Sequence, residues 1–356
     1  MKILLKNAKI LTLKNKNIID GQILVSGNKI AQIAQKINIK ADRVIDCEGN
    51  LLMPGFKNAH AHSAMVFMRG IAEDEPLDVW LNKIVFPLES KYKDNDIYHL
   101  SKLAYLEYLE SGITSVLEMY YRVHEIEKAS KDFGMRSVFM LTPKNNDIRK
   151  VKKLSDDKLA KEVLGFHADY TTPEKELKFI SQLAKKLKAP VYTHCSETLK
   201  EVNKRKKISR LTPVEYLNKL HLFDNGGGIY HGVYLSGNDI KILKQHQIGV
   251  CTCPASNLKL ASGIAPIKKL FDGGINIAIG TDSAASNNSL NMFREMRRKK
   301  QALSEEECIE ILINEPRGVL AVLGDDDYPY AVPLSHVYVD GKIYFHGTVM
   351  ESHKRD

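Results

Sequence analysis

The amino-acid sequence predicts an α/β fold, in which a small β unit precedes a longer region of alternating strands and helices. From about residue 56 to about residue 300, strand-like apolar runs alternate with helix-like amphipathic runs, which favours a parallel barrel or a doubly wound sheet. The first 55 residues contain short apolar runs separated by Asn and Gly, as expected of strands joined by turns. A chain of 356 residues is long enough for one large α/β domain and a smaller one.

The predicted elements follow from hydrophobic periodicity and from turn residues. The N-terminal strands are KILLKNAKILTL, GQILVSG, KIAQIAQ and RVIDCEGNLLMPG. Helical spacing predicts a helix over YHLSKLAYLEYLESG that ends at Gly112. Further strands are predicted at ITSVLEM, RSVFMLT, PVYTHCSE, GGIYHGVYLS, IGVCTCP and INIAIGTDSAA, with helices at EIEKASKDFGM, PEKELKFISQLAKKLKA, TPVEYLNKLHLF and GNDIKILKQHQ.

Composition and charge exclude several classes of protein. No run approaches the ~20 apolar residues of a membrane span, and the N-terminal residues lack the apolar core and cleavage site of a secretory signal. Five cysteines without framework spacing predict a reduced, cytoplasmic protein. The net charge of +9 comes partly from lysine clusters such as KEVNKRKK, which are interpreted as solvated helix faces. No nucleic-acid-binding motif accompanies them, so neither nucleic acid nor membrane is expected as a partner.

Chemistry-bearing residues recur where the predicted strands end. His60 and His62 lie two apart after the run NLLMPGF, so on a strand they would point to the same side, although two loop histidines are the alternative. His194 ends PVYTH, His231 ends GGIYH and Asp282 ends INIAIGTD. Because active sites of parallel barrels lie at the carboxyl ends of strands, we expect these side chains to meet at one mouth.

This set of residues suits a divalent metal. Three neutral imidazoles and one carboxylate, from His60, His62, His194 and Asp282, form a good site for Zn²⁺ or Fe²⁺. A metal with an open position lowers the pKa of bound water from about 15.7 to about 7, so hydroxide becomes available at neutral pH. Asp282 could accept the proton of that water, and His231 could orient the hydroxide.

Glu197, three residues after His194, is the candidate proton shuttle. A carboxyl in a partly dry site can hold a proton and deliver it. Protonating a ring nitrogen of a heteroaromatic substrate makes the adjacent carbon electrophilic, so that hydroxide attacks and an amine leaves. The alternative is an acid at a helix N-terminus, stabilised by the helix dipole.

Several stretches together resemble the amidohydrolase superfamily, in particular its methylthioadenosine/S-adenosylhomocysteine deaminases. They are LLMPGFKNAHAHSAMVFMRG, EPLDVWLNKIVFPLE, GFHADYTT, HCSET, HGVYLS, CPASNLKLASGIAPI and GTDSAASNN. The resemblance implies a (β/α)₈ barrel beside a small β-sandwich, and a hydrolase acting on C–N bonds in cyclic amidines. It places the metal ligands on His60, His62, His194 and Asp282, the proton shuttle on Glu197 and the water-orienting histidine on His231. It also implies substrate contacts by Glu89 and His167, besides Glu197 and Asp282.

Two departures from the family bear on function. Members acting on S-adenosylhomocysteine are expected to carry an Arg for the amino-acid carboxylate, at the position aligned here with Leu141. Near residue 300 the family resemblance ends, and the tail resembles the opening of pyridoxamine-phosphate-oxidase-like flavin proteins, the split-barrel group that includes nitroimidazole reductases. We therefore expect a β-sandwich part at 1–55, a barrel at 56–300 that is incomplete at its last helix, and an atypical tail at 301–356.

The expected function is a metal-dependent deaminase of an adenosine-like purine, such as 5'-methylthioadenosine, with one zinc or iron ion. FMN is not expected in the tail, because too few strands of the flavin barrel are present. The alternative is a non-catalytic or flavin-binding hybrid whose truncated barrel is inactive and exposes apolar surface, which would favour misfolding or a homo-oligomer. The hairpin HVYVDGKIY could also pair with the N-terminal strands and replace the lost half of the sandwich.

Overall fold

The computed structural model describes residues 1–13, 18–71, 77–143 and 146–300, and three strand segments at 317–323, 329–339 and 342–345. These residues fall into two compact units. One is Met1–Lys57 with Gly112–Ser115, and the other is Asn58–Ser111 with Val116–Asp356.

The first unit contains a five-stranded sheet. Strand β1 pairs antiparallel with β2, which pairs with β3, whereas β4 and β5 run parallel to β1. Alternating residues form a small apolar cluster around Leu4 and Leu24 and another around Ala8 and Ile10. Among the described residues, this sheet represents the predicted β-sandwich. Its strands are β1 (Lys2–Leu11), β2 (Ile18–Ser26), β3 (Lys29–Ala34), β4 (Arg43–Asp46) and β5 (Leu51–Leu52).

Eight parallel strands form the barrel that the sequence predicted. Their spatial order follows the chain from the first to the last strand. A parallel bridge between Ala61 and Asp282 joins the ends of that order, and the Asp282 amide donates to the His60 carbonyl at 3.0 Å. The strands are β6 (Phe56–Ala61), β7 (Ile113–Glu118), β8 (Arg136–Leu141), β9 (Ala160–Gly165), β10 (Val191–Cys195), β11 (Gly227–His231), β12 (Ile248–Thr252) and β13 (Ile277–Ile279).

Helices connect the barrel strands. Several begin with side-chain caps, as when the Thr212 and Ser236 hydroxyls accept amide hydrogen bonds from the first turns of α7 and α8. The helices are α1 (Leu77–Val79), α2 (Phe86–Glu89), α3 (Asp94–Glu110), α4 (Val123–Phe133), α5 (Glu174–Leu187), α6 (Leu199–Ser209), α7 (Pro213–Lys219), α8 (Gly237–Gln245), α9 (Pro254–Lys259), α10 (Ile267–Asp272), α11 (Ala284–Asn287) and α12 (Met292–Lys300). Shorter turns are the 3₁₀ helices Ser63–Met68 and Asn146–Lys150 and a π-helical turn, Trp80–Val85.

Two strands differ from the sequence prediction. The metal-site strand β6 is FKNAHA, not the apolar run before it, because the Leu51–Leu52 part of that run pairs with β1 instead. Strand β9 was not predicted, since Lys161 and Glu162 interrupt its apolar pattern.

The main core lies between the barrel and its helices. Residues such as Leu164, Ile180, Ile229 and Val250 are fully buried there. A second cluster contains Met140, Tyr230 and Cys251 from three different strands, and the Tyr230 ring stacks on His60 at 3.8 Å. This second cluster therefore lies directly beneath the predicted metal site.

The tail strands form a sheet of their own. Strand β15 pairs antiparallel with β14 and with β16. Strands β15 and β16 thus form the predicted hairpin, whose Asp-Gly turn lies outside the described residues. The other strand that pairs with β15 is β14. The bounds are β14 (Arg317–Leu323), β15 (Pro329–Val339) and β16 (Lys342–Phe345). Across the described ranges, no helix is both long and apolar enough to cross a membrane.

Candidate active site

The carboxyl ends of the barrel strands bring the predicted ligands together. One donor atom from each of His60, His194, His231 and Asp282 lies within 4.8 Å of the others. His62 joins this group, since its Nε2 lies 3.2 Å from Asp282 Oδ1 and its ring centroid lies 4.7 Å from that of His60. All five side chains therefore converge on one point, including His231, which was predicted to orient water rather than to bind metal.

Backbone carbonyls orient two of the histidines. His194 Nδ1 lies 2.8 Å from the His167 carbonyl, and His62 Nδ1 contacts the Met119 carbonyl. Because a carbonyl only accepts, each Nδ1 carries the proton and each Nε2 keeps a free lone pair. Both imidazoles thus present the nitrogen form that a metal requires.

The His60 ring lacks hydrogen bonds although it is completely buried. Neither ring nitrogen makes a hydrogen bond of good geometry with the described residues, and the nearest carboxylate atom, Asp282 Oδ1, lies 3.4 Å from Nε2. Burial lowers the pKa of His60 to about 3, so the imidazole is neutral. An unsatisfied buried nitrogen is costly unless a ligand pairs with it, and a metal ion would do so.

Asp282 presents one oxygen to this cluster. Its Oδ2 accepts hydrogen bonds from Ser256 Oγ at 2.6 Å and Ser286 Oγ at 2.8 Å, so Oδ1 faces the histidines. Burial alone would raise the pKa of Asp282, but the close approach of His60 and His62 to its Oδ1 outweighs that effect and holds the pKa well below its usual value. An ionised carboxylate beside several imidazole nitrogens is a donor set that suits zinc or iron.

Glu197 lies beside this cluster, and its side chain lines the cavity. Its Oε1 accepts a hydrogen bond from Ser262 Oγ at 3.3 Å, and its Oε2 lies 3.8 Å from His231 Nε2. Burial raises the pKa of Glu197, so this carboxyl can hold a proton. The next helix, α6, begins after its N-cap residue, Thr198, so Glu197 lies outside that helix. The side chain of Glu197 lines the cavity instead.

The cavity above the cluster has a volume of about 380 Å³ and is largely apolar. Glu89 and His167, the two substrate contacts implied by the family resemblance, both line it. The Glu89 backbone carbonyl accepts a hydrogen bond from the Tyr121 hydroxyl at 2.9 Å. Among the described lining residues, none is Lys or Arg, and the apolar wall includes Met65, Leu77, Trp80, Leu81, Val85, Phe86, Tyr120, Tyr121 and Leu260.

The side chain of Leu141 is not among those that line the cavity. Its side chain packs in the main core, next to residues such as Phe166 and Ile148. The residues that follow it, Thr142 and Pro143, line the cavity instead.

Sequence reasoning missed several residues that support the site. Asn257 Oδ1 lies 2.7 Å from His231 Nδ1. The Glu118 carboxylate accepts a hydrogen bond from the amide of Ser63, the residue that follows His62, at 2.8 Å. Asn257 lies in a stretch that matched the family, which was the available signal. Glu201 is a third residue that was missed. It stands three residues after Thr198, which is the spacing of a helix-capping pair, so the sequence contained a signal for it.

Imidazoles and a carboxylate meet where the strands of this parallel barrel end. This arrangement defines the class of barrel hydrolases that use a metal ion. Residues 51–311 match the amidohydrolase family. The chain belongs to the amidohydrolase family. Residues 304–355 match a different family, described as pyridoxamine 5'-phosphate oxidase, so the predicted change of resemblance near residue 300 is confirmed.

Known relatives are deaminases. A 5-methylthioadenosine/S-adenosylhomocysteine deaminase from Pyrococcus furiosus is 37% identical over 308 residues, which cover 83% of this chain and 74% of the relative. A 5'-deoxyadenosine deaminase from Methanothrix thermoacetophila is 38% identical over 77% of this chain and 68% of its own length. An adenosine deaminase structure from Xanthomonas campestris with bound zinc has a TM-score of 0.77 and 28% identity, covering 83% of this chain and 72% of that one. The predicted enzyme class, a hydrolytic deaminase, is confirmed.

Proposed function

We propose that this protein is a metal-dependent deaminase that removes ammonia from the purine ring of an adenosine derivative with an uncharged 5' group, 5'-methylthioadenosine above all. One observation carries the proposal: the histidine–aspartate cluster and the carboxyl of Glu197 lie together at the floor of one apolar cavity. Burial raises the pKa of that carboxyl, so it can hold the proton that the reaction needs. The relatives named above support the same reaction class.

The proposed metal ligands are His60, His62, His194 and Asp282, with zinc favoured over iron because a related structure holds zinc. The unpaired nitrogens of buried His60 fit this assignment. Once bound, such an ion would supply activated water near neutral pH. Asn257 contacts His231 at Nδ1, whereas Nε2 of the same ring lies on the side of Glu197, and His231 is proposed to orient the attacking oxygen.

Two carboxyl groups divide the proton transfers. Glu197 is proposed to hold its proton until substrate arrives and then to place it on a purine ring nitrogen, which makes the neighbouring carbon electrophilic. Asp282 is ionised and is proposed to accept a proton from the attacking water with its Oδ1 atom and then to pass it to the amino group, which leaves as ammonia. Glu89 and His167 line the same cavity and are proposed to contact the nucleoside.

The cavity wall supports an apolar 5' substituent. The described lining residues include no Lys or Arg that could pair with the carboxylate of an amino-acid substituent. Leu77, Trp80 and Phe86 instead offer apolar contacts. We therefore propose that 5'-methylthioadenosine or 5'-deoxyadenosine is preferred over S-adenosylhomocysteine.

The test combines metal analysis with ammonia release. The purified chain should contain one divalent ion and release ammonia from 5'-methylthioadenosine, with a lower kcat/KM for S-adenosylhomocysteine. Glu197→Gln should keep the metal and lose about 10²- to 10⁴-fold in kcat, because it removes the proton donor. Glu215→Gln, an acid in the first turn of α7, is the matched control and should retain activity.

Normal turnover by Glu197→Gln would contradict the shuttle role. A purified protein without metal but with a flavin spectrum would instead favour the hybrid alternative.

We also propose the division into residues 1–55, 56–300 and 301–356, which is supported by the separate family match over residues 304–355.

A further inference from the structure

The chain turns sharply between β10 and α6, and this turn directs Glu197 into the cavity. Ser196 has a φ of +54°, in the left-handed region that residues with a side chain rarely adopt. Such a conformation persists only when surrounding contacts hold it. Two sets of contacts, one from Glu201 and one from the loop after β11, hold this turn in place.

The Glu201 carboxylate holds this turn from one side. Its Oε1 accepts the Ser196 amide at 2.7 Å, and its Oε2 accepts the Glu197 amide at 2.8 Å. Glu201 lies in the first turn of α6 and is only 8% exposed. Two consecutive amides therefore share one buried carboxylate, which is a strong, directional arrangement.

The loop after β11 holds the same turn from the other side. The Ser196 carbonyl accepts hydrogen bonds from the amides of Val233 and Tyr234, both at 2.9 Å. These residues follow His231, so the two loops that carry Glu197 and His231 are tied together. Glu201 completes the support by accepting the amides of Ser196 and Glu197.

Glu201 differs from an ordinary capping residue. In α7, Glu215 accepts the amide of its own N-cap residue, Thr212, at 2.8 Å. Glu201 occupies the equivalent helix position but reaches past its N-cap, Thr198, to the two residues before it. Thr198 already accepts the Glu201 amide at 3.2 Å, so the helix start has its own cap.

The Glu197 side chain has little support of its own. Its one hydrogen bond of the described set, from Ser262 Oγ, is 3.3 Å long, and His231 Nε2 lies farther away at 3.8 Å. The direction of the carboxyl therefore depends on its backbone, which Glu201 fixes.

We propose that Glu201 is a positioning residue that holds the backbone of Glu197 so that its carboxyl can reach the substrate. This inference rests on the proposed function for its effect on catalysis, but the contact itself does not. Proton transfer depends on placement within a few tenths of an ångström, and a displacement of about 1 Å can cost on the order of 10²-fold in rate.

A double-mutant cycle tests this role. Glu201→Gln keeps one acceptor and should lower kcat for 5'-methylthioadenosine about tenfold, whereas Glu201→Ala should lower it about 10²-fold, with KM and metal content nearly unchanged. In the Glu197→Gln background, either change should cost less than about twofold more, because the group being positioned is already absent. Glu215→Gln is the matched control in both backgrounds.

A purely structural role predicts a different pattern. Equal losses in both backgrounds, or loss of metal together with activity, would overturn the positioning role.

Hydrogen exchange provides a readout that does not depend on activity. In Glu201→Gln, the amides of Ser196 and Glu197 should exchange at least about tenfold faster than in the wild type, with no change in Glu215→Gln. Unchanged exchange would overturn the contact even if activity fell. Faster exchange in a protein that deaminates no adenosine derivative would support the contact and overturn only the proposed function.

Discussion

At the scale of single residues, the candidate site depends on groups that hold its imidazoles in one orientation. His194 and His62 donate Nδ1 protons to backbone carbonyls, and His231 lies 2.7 Å from the Asn257 amide oxygen. Such contacts decide which nitrogen faces the cluster. The ring types could be predicted from the sequence, but their acceptors could not, because two of them are backbone atoms.

Asn257 is predicted to be required for the orientation of His231. In Asn257→Leu the buried Nδ1 loses its acceptor, so the ring can turn or change tautomer, and kcat should fall about 10- to 100-fold. Steady-state kinetics with 5'-methylthioadenosine would measure this. Asn238→Leu, which removes an exposed amide from the start of α8, should have little effect. Wild-type kcat in Asn257→Leu would show that His231 needs no such partner.

Glu118 is predicted to make the stability of the metal-free protein depend on pH. Burial raises its pKa from the ordinary 4.5 to about 7, so between these values the folded state binds more protons than the unfolded state. The Glu118 contribution to the unfolding free energy therefore falls as pH rises through this window, by on the order of 3 kcal/mol. Urea unfolding of wild type and Glu118→Gln at pH 5 and pH 8 would measure the difference. A difference that does not change with pH would contradict the raised pKa.

At the scale of elements, the seam between β6 and β13 places Asp282. Strand β13 has only three residues, and side chains supplement its pairing. Asn58 accepts the Thr281 amide at 2.9 Å and donates to its hydroxyl at 2.7 Å, while Asn287 donates to the Thr281 carbonyl at 2.7 Å. Asp282 itself has a φ of +57°, which these neighbouring contacts help to maintain.

Glu295 of α12 ties this seam to the loop after β12. Fully buried, it accepts the Ala255 amide and the Asn287 side chain, both at 2.9 Å. Glu295→Ala should lower the unfolding free energy by about 2–4 kcal/mol, because it leaves buried donors unpaired. It should also weaken metal binding, since Ser256, an Asp282 partner, follows Ala255.

Denaturant unfolding and metal titration would test this, with the exposed Arg294→Ala as the control. Equal stability and metal affinity in Glu295→Ala and Arg294→Ala would contradict a role for Glu295 in the seam.

The same scale shows which elements could be read from the sequence. Helices with strong apolar periodicity, such as α5, and runs rich in β-branched residues, such as β12, were predicted. Strand β9 and the exact position of β6 were not, because Lys161 and Glu162 in β9 and Lys57 and Asn58 in β6 interrupt the apolar pattern of a buried strand.

At the scale of the whole molecule, two family matches meet in one chain. The amidohydrolase match ends at residue 311, and the pyridoxamine 5'-phosphate oxidase match spans residues 304–355. All proposed metal ligands precede this junction, and the seam between β6 and β13 is complete in the described residues. The donor cluster is therefore assembled entirely by residues of the amidohydrolase part.

Metal removal is predicted to destabilise the barrel. An ion that binds only the folded protein stabilises it by about 2.7 kcal/mol at 100 times its Kd, and the ends of three strands, β6, β10 and β13, would share it here. Chelation should therefore lower the Tm and abolish ammonia release, and added zinc should restore both. The double variant His60→Ala, His194→Ala should show a Tm that chelator no longer changes. An equal chelator effect on this variant would place the metal elsewhere.

The sequence by itself determined the kind of fold and which polar residues stand at strand ends, because apolar periodicity and the position of a residue at a strand end are local properties of the chain. The enzyme class followed from the resemblance of several stretches to a known family. Only the tertiary structure showed that His231 Nε2 lies beside Glu197, that Leu141 packs away from the cavity, and that Glu118, Glu201 and Asn257 make hydrogen bonds around the site. Those facts depend on contacts between residues far apart in sequence, and on the backbone carbonyls and amides that every residue shares. Such groups carry no signature in the sequence until the folded chain brings them together.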